Sequence, residues 1–453
     1  MWSTRKFSIL HFLGFLAVLA SRWPGHDSED IKNLRLNANS PYPTDFWGGA
    51  SSMFYGHFPD FYPGWESLLL IFQWGITSVG LILLAKRIQS AWKVQAVWFL
   101  ISLLVVELGT LLTRDGLMLA LLVFGFGLVN ASDGSSPRHR NAILKTALVV
   151  FLIAAWFRPW VSPAIAVLYI YSSKFASSIS TWRRKLLSRL VLILVFMSLA
   201  LGFEIGSSKI LNLEKSYPEQ QVMMMDLASM ACWSTNQSTV DRAILGLENF
   251  YQAEKMPTYF CNTFRPTNWI HLFHQDLVSK QQPVFTLIQI GDYQTYADVK
   301  SAWISSISSS PVDYIQNKLM YASQTLLGGD TRGVRLFSSN YFENSSRSAF
   351  FTFFSALVLA PLDAAITIHL FSPLFTFLFF SILVYASSKP FSRYKAPELI
   401  GLSLFSLLWF AGTVIAYIGD TARFTYTSGA LIILAVTFNH FRLRRSISLP
   451  GQD

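Results

Sequence analysis

Residues 66 to 85 read ESLLLIFQWGITSVGLILLA, twenty positions whose only charge, Glu66, stands at the start. At a rise of about 1.5 Å per residue, a helix of that length covers a hydrocarbon core of about 30 Å. The same kind of run recurs at 94 to 112, 187 to 206 and 398 to 418. Across its 453 residues the chain is 52% apolar and only 14% charged, where an average soluble domain carries about 25% charged residues. A soluble globular protein is excluded, and a polytopic all-α membrane protein is expected.

Hydropathy read with the positive-inside rule places spans near 7 to 21, 66 to 85, 94 to 112, 116 to 131, 143 to 157, 160 to 174, 187 to 206, 364 to 387, 398 to 418 and 424 to 440. About ten spans (ten to twelve) put both termini on one side. That side carries Arg5 and Lys6, Lys86 with Arg87 and Lys93, Arg138 with Arg140 and Lys145, Lys174, Arg183 to Lys185 with Arg189, Lys389 with Arg393 and Lys395, and Arg442 with Arg444 and Arg445. Only Asp133, Glu398 and Asp453 oppose them, so the termini are expected to be cytoplasmic and the membrane to be a bacterial inner membrane. The net charge of +10 is thereby assigned to topology, and nucleic acid is not an expected partner. The basic, then apolar, first twenty residues resemble a secretory signal. No small-x-small cleavage site precedes Trp23, and the topology needs this segment as a retained span.

The expected organisation is an N-terminal membrane module over 1–206 with seven spans and a first outer loop at 22–65. A mostly helical outer domain follows over 207–348, with helical stretches at 221 to 232, 239 to 255 and 296 to 326, and a C-terminal module over 349–453. Within the last, FFTFFSALVLAPLDA at 349 to 363 is read as a re-entrant or interfacial helix, because an eleventh span would carry the basic loops outside. Cys232 and Cys261, with 28 residues between them, both fall in the outer domain. They either pair in an oxidising compartment or stay as buried thiols.

The first outer loop opens with Trp23-Pro24-Gly25-His26-Asp27-Ser28-Glu29-Asp30. A carboxylate held beside a lipid headgroup can act as general base. Alternatively Asp27 or Ser28 caps a helix over 29 to 38, with Glu29 and Asp30 in its first turn. Further along lie Asp45, Trp47, Tyr55 and His57, an aromatic and polar set suited to stacking on sugar rings, or to a membrane-interface belt. Arg114 and Asp115 occupy the second outer turn, as a local ion pair with Asp115 as a cap or as a site element. Arg158 lies at a short turn between apolar helices, and Arg423 follows Asp420 at the last outer turn. Three guanidiniums at outer turns form forks that match phosphate oxygens, with snorkelling to headgroups as the alternative. Asp226 stands behind three methionines, a carboxylate beside an apolar stretch. No nucleophile elbow, zinc-protease motif, P-loop or dinucleotide fingerprint occurs, and the working face is read as the outer one.

These features together resemble the GT-C integral-membrane glycosyltransferases, and more narrowly uncharacterised bacterial GT-C-like proteins. The resemblance rests on WPGHDSED after span one, the TRDG turn, an arginine after span five, MMMDLASM, AWISSISSSPVDYIQNKL, DTARF and the large outer segment. It implies inverting transfer of a sugar from a polyprenyl-phosphate donor to a hydroxyl of a glycan or lipid-linked acceptor. Asp27, Glu29, Asp30 and Asp115 would be the catalytic carboxylates. Arg114, Arg158, Arg423, His26, Asp45, Trp47, His57, Asp226 and Asp420 would bind substrate. No cofactor is required by the pattern: Asp115 stands alone where an Asp-x-Asp would suggest a metal, and Mg or Mn is the one alternative. A polysaccharide polymerase or O-antigen-ligase-like enzyme, and a non-enzymatic lipid-linked glycan flippase, are the competing readings.

Overall fold

The computed structural model describes residues 4–23, 29–45, 48–57, 62, 64–88, 91–133, 135–175, 181–217, 219–248, 261, 292–326, 378, 381–382, 396–416 and 428–439. The described residues are helical almost throughout, and the one β-bridge among them joins Thr44 to Glu214. In chain order the helices are α1 (Thr4–Arg22), α2 (Glu29–Ala38), α3 (Trp65–Ala85), α4 (Trp92–Gly109), α5 (Arg114–Ser132), α6 (Pro137–Trp156), α7 (Ser162–Ser172), α8 (Trp182–Ile210), α9 (Gln220–Trp233), α10 (Gln237–Leu247), α11 (Tyr293–Ser309), α12 (Pro311–Leu326), α13 (Ala396–Ala416) and α14 (Ser428–Asn439).

Five of them, α3, α4, α5, α6 and α8, are long and apolar enough to cross a membrane. Shorter apolar helices lie at Ile9–Ala20, Ile400–Gly412 and Ser428–Asn439, inside the stretches where spans are expected at 7 to 21, 398 to 418 and 424 to 440, but they are not among the five. The expected span at 160 to 174 is instead a 3₁₀ turn over Pro159–Val161 followed by the 11-residue α7. Prolines at 159 and 163 punctuate that stretch, and each is tolerated only in a first helical turn. The span at 364 to 387 and the interfacial helix at 349 to 363 fall outside the described residues.

Helix α5 is the centre of the bundle. Its apolar window is 83% buried, against 11% for α8. The α3 and α5 backbones touch at Gly80 and Gly127: a Cβ on Gly80 would stand 2.8 Å from the Val123 carbonyl, and one on Gly127 2.6 Å from the Gly80 carbonyl. Small residues at such a crossing let two apolar helices pack where lipid offers no hydrophobic drive. On α8, by contrast, Leu187, Leu194 and Ile205 are exposed, an apolar surface that suits lipid rather than water. That helix ends in a left-handed Asn212 (φ 50), with Asn212 N–H donating to Lys209 and Leu213 N–H to Ser208, a Schellman closure.

Helices α9 to α12 form a second, smaller core around Met224, Leu227, Met230, Leu247 and Val299. Of the helical stretches expected here, 221 to 232 coincides with α9, 239 to 255 overlaps α10 with 249 to 255 outside the described residues, and 296 to 326 is divided at Ser310 into α11 and α12. Cys232 and Cys261 are joined in a disulfide, with Cα atoms 5.2 Å apart.

Candidate functional site

The N-terminal end of α5 gathers most of the chemistry. Thr113 caps the helix, its hydroxyl accepting from Gly116 N–H at 2.9 Å. The cap is thus Thr113 rather than Asp115, which reaches across the bundle. It meets Arg158, at the turn between α6 and α7, in a two-pronged contact: Nε donates to one carboxylate oxygen at 3.0 Å and Nη2 to the other at 2.9 Å. Both side chains are buried, and such a fork pairing fixes angle as well as distance. Arg114 lies within electrostatic reach of Arg158, Asp115, Tyr55 and Glu204. Two arginines and two carboxylates therefore share one end of the apolar bundle.

The first loop is folded over this cluster. After α2, a short helical turn over Gly49–Ser51 continues as a π turn over Ser52–His57. The Tyr55 hydroxyl donates to the Thr113 carbonyl at 3.1 Å, on the residue that caps α5. Phe54 sits edge-on to Trp65 (5.3 Å) and to Phe157 (5.6 Å), so aromatic rings wall the charged group. Arg35 on α2 clasps Glu66 at 2.6 Å and ties α2 to the start of α3. Nearby, Arg22 and Glu107 form a buried ion pair between the ends of α1 and α4.

Glu204 joins this arrangement from α8. Its carboxylate accepts from the backbone N–H of Gly49 at 2.5 Å and of Ala50 at 3.3 Å. Gly48 makes this possible: its φ of 84° belongs to glycine, and a Cβ there would lie 2.7 Å from a Glu204 oxygen. Behind Glu204 opens a cleft of about 750 Å³ whose polar lining includes Asp45, Lys209, Asn212, Lys215 and Glu219. Asp45 accepts from Ser216 N–H (2.8 Å) and Oγ (2.9 Å) and pairs with Lys215 (3.1 Å). It pins the first loop to the segment leaving α8, beside the Thr44 to Glu214 bridge.

The expected site residues therefore divide into groups. Arg114, Asp115 and Arg158 come together, while Asp45 lines the adjoining cleft and His57 ends the π turn. Glu29 and Asp30 open α2, as the helix reading of 29 to 38 requires. Asp226 belongs elsewhere. It is buried in the helical unit of α9 to α12, where Lys318 Nζ (2.7 Å) and Trp303 Nε1 (3.0 Å) bind it. Burial outweighs the pull of Lys318 and holds the Asp226 carboxyl above the usual carboxylate range, and it lowers the Lys318 ammonium in turn. His26, Asp27, Trp47, Asp420 and Arg423 lie outside the described residues.

Two participants escaped the sequence reading. Glu204 interrupts the run at 187 to 206 and Glu107 the run at 94 to 112. A carboxylate inside an apolar run is costly unless partnered or working, and that was the available signal. Among the described residues no group of three His, Cys, Asp or Glu side chains could hold a metal ion. Compared with protein-family models, curated proteins and solved structures, the chain matches none of them.

Proposed function

We propose that this protein is an integral-membrane glycosyltransferase of GT-C type, moving a sugar from a polyprenyl-phosphate carrier to an acceptor hydroxyl on the extracytoplasmic face. The observation that carries the reading is the meeting of Arg114, Arg158, Asp115 and Glu204 beneath the aromatic first loop, at one end of helices long and apolar enough to cross a membrane.

A lipid-phosphate donor presents its anion at the membrane boundary with its tail in lipid. Guanidiniums at helix ends meet that anion without leaving the bundle. Arg114, set among Arg158, Asp115, Tyr55 and Glu204, is the arginine assigned to the phosphate, and Arg423 would join it from the last outer turn. Charge builds on the phosphate as the glycosidic bond breaks, so a positive group fixed in place beforehand stabilises the transition state more than the ground state. Asp27, two residues ahead of α2, is assigned as the base that takes the acceptor proton. The attacking oxygen enters opposite the departing phosphate, so the anomeric centre inverts.

The test is transfer from a polyprenyl-phosphate sugar in nanodiscs, comparing the wild type with Asp27→Asn. The base assignment calls for a loss of about 10²-fold or more at unchanged thermal stability, since Asn caps a helix as well as Asp. Full transfer by the variant would remove Asp27 as the base, and absence of transfer by the wild type across donors would remove the glycosyltransferase reading.

A further inference from the structure

Helix α12 is built inside out. Its buried or half-buried side is Asp313, Tyr314, Asn317 and Lys318, and its exposed side is Val312, Ile315 and Leu319, at 63%, 55% and 63% exposure. These three fall at i, i+3 and i+7, one stripe of an α-helix, and the other exposed residues described on that side, Pro311 and Gln316, are uncharged. A helix on the surface of a water-soluble domain has the opposite polarity.

The orientation is imposed by bonds on the polar side. Lys318 is tied to Asp226 on α9 at 2.7 Å and lies over the Tyr314 ring at 5.5 Å. Asp313 is hydrogen-bonded to Ser234, just past the end of α9. Turning α12 to hide its apolar stripe would pull a lysine and two carboxylate contacts out of place together. The neighbouring helix α11 shows no such inversion: it buries Tyr296 and Val299, and its exposed side carries Gln294, Asp298, Lys300, Ser301, Ser305 and Ser308 beside Tyr293 and Ile304.

Helix α12 also packs against α13, a 21-residue helix with an apolar run over Ile400–Gly412. The helix that carries the exposed stripe therefore adjoins the apolar bundle, whose outward surface on α8 is likewise leucine-rich. We propose that α12 is a membrane-surface helix, with Val312, Ile315 and Leu319 seated in the headgroup and upper acyl region of the bilayer that the bundle crosses. This anchors the outer helical unit to the lipid through a face that carries no charge. The proposal is independent of the transferase reading.

Site-directed spin labelling tests it on the full chain. Single variants Val312→Cys, Ile315→Cys and Leu319→Cys are labelled without reductant, so that Cys232 and Cys261 remain paired, and reconstituted in vesicles of phosphatidylcholine and phosphatidylglycerol. Lys300→Cys on α11 is the control. The expected result is relaxation by dissolved oxygen at the three stripe positions that exceeds relaxation by a water-soluble nickel chelate, with a ratio several-fold above that at position 300. Dominance of the nickel chelate at all three positions would show a wet face and overturn the proposal. Exclusion of both agents would show the face covered by protein, from this chain or a second copy, and overturn it equally.

Discussion

Arg158 holds Asp115 by two parallel hydrogen bonds, 3.0 and 2.9 Å, across 43 residues of sequence and between two buried helix ends. The pair closes the α6 to α7 turn onto the start of α5.

Because both groups are buried, removing one strands the other. Asp115→Asn or Arg158→Met alone should destabilise the protein by about 3–5 kcal/mol, whereas Asp115→Leu combined with Arg158→Met should recover most of that loss. Unfolding followed in detergent measures both. A single variant within about 1 kcal/mol of the wild type would mean that the pair is open to water.

The disulfide yields a test of sidedness. If the outer helical unit faces an oxidising compartment, a membrane-impermeant maleimide should label Cys232 and Cys261 only after reduction and only from the extracytoplasmic face. Replacing both by Ser should cost about 2–4 kcal/mol through the lost constraint on the unfolded chain. Labelling from the cytoplasmic face alone would invert the topology and every site assignment that depends on it.

Much of this was legible in the sequence, for reasons that also mark where legibility stops. The apolar run at 66 to 85 and the helix at 29 to 38 are encoded locally, by length and by terminal residues, and α3 and α2 follow them closely. The turn residues Arg114, Asp115 and Arg158 stood out because charge at a helix end in an apolar chain is conspicuous. Their partners were hidden. Nothing near Asp115 points to a guanidinium 43 residues away, and Thr113 is as good a cap as its neighbour. Glu204 was masked by the hydropathy of its own run, since a window average absorbs one carboxylate. The partner of Asp226 was hidden for a related reason: nothing beside the three methionines points to Lys318, 92 residues on, which stands opposite it.

That pair sets a pH dependence for the helical unit of α9 to α12. Burial raises the native Asp226 carboxyl above its unfolded value, so between those two values the native state binds the proton more tightly and stability falls as pH rises. Lys318 is lowered. Between its native value and the unfolded value of about 10.4, the unfolded chain holds the proton and stability rises with pH. The double variant Asp226→Asn with Lys318→Met should flatten both slopes in a denaturation series run from acid to alkaline pH. Slopes unchanged from the wild type would place the titration on other groups.

Gly48 and Glu204 can be separated by a double-mutant cycle. Gly48→Ala should destabilise by about 1–3 kcal/mol from the positive-φ, extended backbone alone (φ 84, ψ 147), with the clash against Glu204 added. In a Glu204→Ala background the clash is absent and only the backbone cost remains, so the same change should cost less. Equal costs in the two backgrounds would mean that Glu204 does not lie against Gly48.

Arg114 carries the chemical part of the proposal. It sits among Arg158, Asp115, Tyr55 and Glu204, and it is a cleaner probe than Arg158, whose loss would strand Asp115 and unsettle the fold. If its guanidinium meets the departing phosphate, Arg114→Ala should lower turnover by about 10²–10³-fold, the range seen when one preorganised donor to a developing anion is removed. Arg114→Lys should retain part of the activity, because an ammonium keeps the charge and loses the fork. The loss should appear in turnover and in donor affinity together, since the same oxygens are bound before and during bond cleavage. Arg87→Ala, at the opposite end of α3, is the control for a general loss of positive charge. Donor-dependent transfer in nanodiscs, with melting checked for each variant, decides the matter: wild-type turnover by a folded Arg114→Ala protein would take this arginine out of the site and leave the phosphate to Arg423.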